Sequence, residues 1–283
     1  MLSSRQRVYN ALNLKIPDRS PKGEILISPE TVKGFPVDSL HELLLYLNAD
    51  IVTLRLDKLD LHDWASWRRS RFYIFGLMNG PLSRMFRIFN WKKAFILINS
   101  NPFYTMEIMK WMVIHDQGLI KSALDRGCEG IIIADDLAGQ KGLLFSPDYL
   151  KHYYFPVVSE LIMPHPKVPF VFHSDGNIMD IIDLIRDSAF RGIHSLQPSV
   201  GISANRFDNS LKSGWVFWGN FEFESTGQMK TVSQVQHEVK ELLSSWSQVP
   251  GYIFGSSGGL YPGIPPETIK AAYDIVDTLG THC

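Results

Sequence analysis

Cysteine is nearly absent from this chain of 283 residues: Cys128 and Cys283 are the only two. Two thiols form no disulfide framework, which fits a reducing compartment. Neither ends an apolar strand-like run, so a thiolate-rich zinc centre is excluded. Excess charge of one sign is also missing. Lys and Arg total 28 against 29 Asp and Glu, a net charge of −1, which argues against a nucleic-acid binder relying on a basic surface. No apolar run could span a bilayer; 91–98, one of the most apolar, carries two lysines. The first eight residues are polar and lack the apolar segment of a secretory signal. Also absent are the Gly-x-Ser-x-Gly elbow, the P-loop and the His-Glu-x-x-His helix. The expectation is a soluble cytoplasmic protein with neither a nucleic-acid nor a membrane partner.

What is present is a regular alternation. Hydrophobic residues make up 45% and charged residues 20%, enough apolar matter for a large core. Eight short apolar runs, at 24–27, 50–54, 73–77, 130–134, 169–172, 192–196, 215–218 and 252–254, read as strands. Helical patterns lie between them at 39–47, 101–126, 147–163, 178–187, 232–246 and 266–279. Asn101-Pro102, Ser146-Pro147 and Pro265-Pro266-Glu267 carry helix-start signals. Eight strands with helical connections in this length is the arithmetic of an α/β protein, a single (β/α)8 TIM barrel spanning 1–283. An open doubly wound sheet is the alternative. The least regular part, 64–101, reads as an insertion between strands two and four.

In a parallel α/β fold, chemistry sits at the C-terminal ends of the strands. Phe172-His173-Ser174-Asp175-Gly176 closes the fifth run. His173 and Asp175, two residues apart, can face the same way because strand side chains alternate. By the same alternation only one of Asp135 and Asp136, after the fourth run, faces the barrel axis; the other reading for this pair is helix capping. Asn79 ends the third run, Gln197 follows the sixth, and Asn220 the seventh. His194 lies within the sixth run and is equally readable as core filling, and Asp175 and Asn220 as turn residues. Tyr261 stands beyond the eighth. A zinc site of His173, Asp175 and a further carboxylate such as Glu24 is allowed, since zinc accepts nitrogen and oxygen donors. The glycine-rich 255–259 loop offers amides to an anion, a weak signal.

Taken together, segments 4–12, 16–21, 130–136, 145–147, 172–177, 218–220 and 260–267 resemble the uroporphyrinogen decarboxylase-like superfamily over nearly the whole length. That superfamily joins a heme-pathway decarboxylase with cobalamin-dependent methyltransferases on a (β/α)8 barrel. The departures carry the functional information. The decarboxylases hold substrate propionates with arginines after the first strand, whereas 22–29 contain none. Their histidine before Gly-Leu-Tyr-Pro is Gly258 here. Thiol-directed methyltransferases bind zinc through His-x-Cys and a later cysteine. This chain keeps His173 but has Asp175 at the first cysteine position and Ser256-Ser257-Gly258 around the second.

The resemblance is nearest to a His-Ser-Asp-Gly subgroup, although related sequences often carry an acid where this chain has Gln197. It implies a methyltransferase moving a methyl group between a small methylated substrate and a corrinoid protein. His173, Asp175 and Asp136 would act on the leaving atom. Asn79, Asp135, His194, Gln197, Asn220 and Tyr261 would bind substrate. Zinc would be held by Glu24, His173 and Asp175, and the corrinoid would be supplied by the partner protein. A homodimer is compatible with the resemblance. The alternatives are a decarboxylase acting on a tetrapyrrole or other carboxylate, and a non-catalytic barrel that binds a ligand or a corrinoid protein.

Overall fold

The computed structural model describes residues 1–279; Cys283 lies outside them. Seven strands form one sheet in sequence order: β1 (Ile51–Arg55), β2 (Tyr73–Asn79), β3 (Gly130–Ala134), β4 (Phe170–His173), β5 (Gly192–Ser195), β6 (Val216–Phe221) and β7 (Tyr252–Ser256). The helices used below are α1 (Ser4–Leu12), α2 (Trp64–Arg69), α3 (Pro81–Phe89), α4 (Trp91–Ser100), α5 (Pro102–Asp125), α6 (Phe155–Ile162), α7 (Val232–Trp246) and α8 (Pro266–Leu279). This strand order, with helical connections, is an α/β arrangement of the TIM-barrel type. No helix among the described residues is long and apolar enough to cross a membrane. The chain comprises two compact units, one of 1–53, 69–74 and 194 onward, the other of 54–68 and 75–193.

In the first unit, β6 and β7 pair in parallel. The expected strand at 24–27 is not continuous; it survives as two isolated bridges, Lys22 with Phe254 and Ile27 with Leu260. On one side the amide of Gly23 donates to Phe254, and on the other the amide of Asp50 donates to Lys22. The segment therefore takes the place of an eighth strand. Its interruption has a local cause: between the bridges, the amide of Ser256 donates to the Glu24 carboxylate (3.0 Å) instead of to a backbone carbonyl.

A buried ionic network supports this segment. Asp50, fully buried, accepts from Arg7 and Arg19 at 2.7 Å each, and Arg7 also holds Asp18 at 2.7 Å. Lys22 donates to the Tyr273 carbonyl and pairs with Asp277, both at 2.8 Å. Burial pushes the Lys22 ammonium down to about 8 against these partners. Removing Asp277 would leave the fully buried Lys22 without its ion-pair partner, a cost of about 3–5 kcal/mol.

In the second unit, β2, β3 and β4 pair in parallel. Ile131, Ile132 and Ile133 are fully buried on both faces of β3, which explains an unbroken apolar run rather than an alternating one. The stretch 64–101 is regular: α2, β2, α3 and α4 occupy most of it. Ring contacts hold its helices: Phe86 stacks on Trp91 (centroids 3.9 Å, 13°) and Phe95 on Phe145, while Phe86 meets Phe95 at a tilt. α5 starts as its Asn-Pro signal indicates, with the Asn101 side chain accepting from Tyr104 N at 3.1 Å.

Candidate functional site

Register aligns the strand ends of the second unit. Asn79 lies opposite Ala134, and Ala134 opposite His173, so the loops leaving β3 and β4 start side by side. Those loops are joined residue by residue. The amide of Asp135 donates to the His173 carbonyl (3.0 Å), and that of Leu137 to the Ser174 hydroxyl (3.0 Å). The amide of Asp175 donates to Oδ1 of Asp136 (3.0 Å), and that of Asn177 to the Gly139 carbonyl (3.1 Å). Gly176 permits the approach. It sits at φ +81°, and a Cβ there would lie 2.6 Å from the Ala138 carbonyl.

This join gathers three donor groups. One ligand atom each from Asp136, His173 and Asp175 lies within 4.8 Å of the others; His173 is buried, Asp175 half-buried and Asp136 exposed. One nitrogen and two anionic oxygens suit zinc or a harder divalent ion, and two carboxylates neutralise a dication. Donors in a zinc site stand roughly 3.4 Å apart, so side-chain adjustments of about 1 Å complete the fit. Asp136 also borders a cavity of about 220 Å³ with Asn79, Ser83, Phe86, Arg87 and Trp91. Of the three donors, Asp136 is the one that reaches this cavity.

The neighbouring carboxylate has a different surrounding. Asp135 is 1% exposed and accepts from the amides of Leu82 (3.1 Å) and Ser83 (2.6 Å) and from the Tyr154 hydroxyl (2.8 Å). It serves the first turn of α3, where the preceding residue, Gly80, has no side chain to cap with. Burial pushes its carboxyl up to about 6, opposed by those hydrogen bonds. Of the adjacent pair, Asp135 holds the helix and Asp136 faces the cavity.

The remaining candidates belong to the first unit. Glu24, fully buried, accepts from the Ser256 amide and hydroxyl and from the Tyr273 hydroxyl (2.9 Å); burial pushes it up to about 7. His194 is fully buried, edge-on to Trp218 at 5.3 Å. Asn220 donates to the carbonyls of Leu196 and Ile202 and accepts from the Trp246 indole (3.0 Å), tying β6 to its surroundings. Gln197, half-buried, precedes the single turn Pro198–Val200. Tyr261 is 39% exposed, its phenol raised by burial and then by Glu224 and Glu222.

Sequence reasoning reached Asn79, Asp136, His173 and Asp175 but not Ser83, Phe86, Arg87 and Trp91. The signal for these was the Gly80-Pro81 start of α3, which places residues 83, 86 and 87 on neighbouring positions of one helix.

The family model for uroporphyrinogen decarboxylase (URO-D) matches residues 64–279. A curated uroporphyrinogen decarboxylase from Vesicomyosocius okutanii subsp. Calyptogena okutanii (strain HA) is 21% identical over 157 residues, covering 56% of this chain and 44% of that protein. The chain thus spans less than half the length of that relative. Among solved structures, a methyltransferase from Methanosarcina mazei superposes with a TM-score of 0.77 at 17% identity, covering 98% of this chain and 99% of the other. At that identity the likeness establishes a shared fold.

Proposed function

Because the chain belongs to the uroporphyrinogen decarboxylase (URO-D) family, we propose that it is a methyltransferase that moves a methyl group between a small methylated substrate and a corrinoid protein. The observation that carries this reading is the meeting of Asp136, His173 and Asp175, with Asp136 bordering a small cavity. A methyl group transferred to a reduced corrinoid leaves as a cation equivalent, and the heteroatom it leaves keeps the bonding electron pair. That developing negative charge is what the site must neutralise. His173 and Asp175, with Asp136 in the place first given to Glu24, would hold the metal. When bound, zinc would supply a Lewis acid for the leaving atom. Without a metal, a proton on His173 would do similar work. Asn79 and Ser83, on the cavity wall, can orient polar groups of the substrate.

The second reading, a carboxy-lyase, is favoured by the curated decarboxylase relative. Against it in its porphyrinogen form stands the first-strand segment. The cation in that segment, Lys22, is fully buried and already paired with Asp277, so it offers no counter-charge to propionates. The two readings part in one assay. Reduced corrinoid protein and the enzyme are incubated in turn with each of a panel of methyl ethers and methylamines and with uroporphyrinogen, and the corrinoid spectrum is followed alongside carbon dioxide release. Enzyme-dependent methylation supports the transferase. Release of carbon dioxide from uroporphyrinogen without methylation contradicts it.

A further inference from the structure

We propose that Arg87 and Lys58 form an anion-recognition subsite for the substrate, so that the substrate is a small molecule carrying a carboxylate or phosphate. The orientation of that molecule rests on the reading above, which places the reacting end beside Asp136.

Two cavities of the second unit share a wall. The 220 Å³ cavity containing Asp136 and a larger one of about 470 Å³ are both bordered by Asn79 and Arg87. The charge around the larger cavity is unevenly committed. Its three carboxylates are each taken by a cation: Asp57 by Arg55 (2.8 Å), Asp60 by Arg126 (2.7 Å) and Asp116 by Arg84. Two of those cations, Arg55 and Arg126, do not line the cavity. Lys58 and Arg87 do line it; among the described residues Arg87 enters no ion pair or hydrogen bond, and Lys58 acts only through its charge on Asp57, which Arg55 already holds. The cavity's carboxylates are therefore already neutralised, which leaves Arg87 uncommitted and the charge of Lys58 in excess.

Surface cations without partners are ordinary when water surrounds them. Arg87 differs in its position. It lines both cavities, the smaller one together with Asp136, and is next in sequence to Phe86, whose ring stacks on half-exposed Trp91. A guanidinium and aromatic rings lining one cavity are suited to a flat molecule bearing an anionic group, held bidentately at one end and stacked along its body. Lys58 would add a second, more mobile charge. The small cavity is below the usual range for drug-sized ligands, about 300–1,000 Å³, and limits the reacting end to a compact group.

The test is isothermal calorimetry on the full chain with three probes: para-methoxybenzoate, phenyl phosphate and the neutral para-methoxybenzamide. The expected result is saturable binding of at least one anion, with the amide about tenfold weaker or worse. Arg87→Gln should weaken the anion by a similar factor, Lys58→Gln by less, and Arg87→Lys should recover part of the loss. Whichever anion binds tighter identifies carboxylate or phosphate as the group recognised. Equal binding of amide and anions, unchanged affinity in the Arg87→Gln/Lys58→Gln double variant, or no saturable binding of either anion would overturn the proposal. Metal content and corrinoid methylation are read in parallel. Arg87-dependent anion binding by a protein that neither holds metal nor transfers methyl groups would leave the subsite standing and remove the methyltransferase reading.

Discussion

The backbone amide of Asp175 donates to Oδ1 of Asp136 at 3.0 Å, so one candidate metal ligand is held in place by the loop that carries another. The hydrogen bond leaves Oδ2 of Asp136 for the site. It also makes Asp136 a structural part of the join between the β3 and β4 loops.

Two substitutions at Asp136 should therefore separate. Asp136→Asn keeps a carbonyl oxygen for the Asp175 amide and should unfold in urea within about 0.5 kcal/mol of wild type. Asp136→Ala removes the acceptor and should cost about 1 kcal/mol, a modest figure because the side chain is exposed. Both should lower metal affinity. Equal stability losses would show that the hydrogen bond does not stabilise the loop.

Gly176→Ala should be more damaging. The position combines φ +81° with a Cβ path blocked by the Ala138 carbonyl at 2.6 Å. The left-handed backbone alone costs about 1–2 kcal/mol, and the clash adds to it. Urea denaturation should give a loss of about 2 kcal/mol or more, accompanied by loss of metal. A neutral substitution would mean that the two loops do not approach as described.

Glu24 sets a pH dependence with a defined sign. Burial raises its folded-state value to about 7 from an ordinary 4.5. The native state therefore favours the protonated carboxyl. That contribution is complete below about 4.5 and is lost as pH rises toward 7. Glu24→Gln has no such titration. The stability difference between wild type and this variant, measured by urea melts at several pH values, should shift by on the order of 3 kcal/mol against wild type across that window. A constant difference would contradict the buried, desolvated placement. Asp135, raised to about 6, should act in the same direction between about 4 and 6.

Much of this arrangement is legible in sequence because it depends on local periodicity. Ile131-Ile132-Ile133 announces a strand buried on both faces, and the two carboxylates after it must face different surroundings. Which of them faces the cavity is not legible. That depends on the Tyr154 hydroxyl and the α3 amides claiming Asp135, contacts from both sides of it in sequence. The same limit applies to Glu24. It reads as a strand residue with a free carboxylate, but Ser256 and Tyr273, more than 230 residues away, engage that carboxylate and interrupt the strand. The cavity wall at Ser83, Phe86, Arg87 and Trp91 escaped notice for another reason. The apolar residues of 64–101 serve ring stacking between short helices, and that leaves no single long period to read.

The most direct test of the account is metal analysis of the protein purified without a histidine tag, beside His173→Ala and Asp136→Asn. The account predicts about one zinc or similar divalent ion per wild-type chain, lost from His173→Ala and reduced in Asp136→Asn, with all three proteins folded. Metal-free wild-type protein after zinc supplementation, or full metal content in His173→Ala, would contradict it.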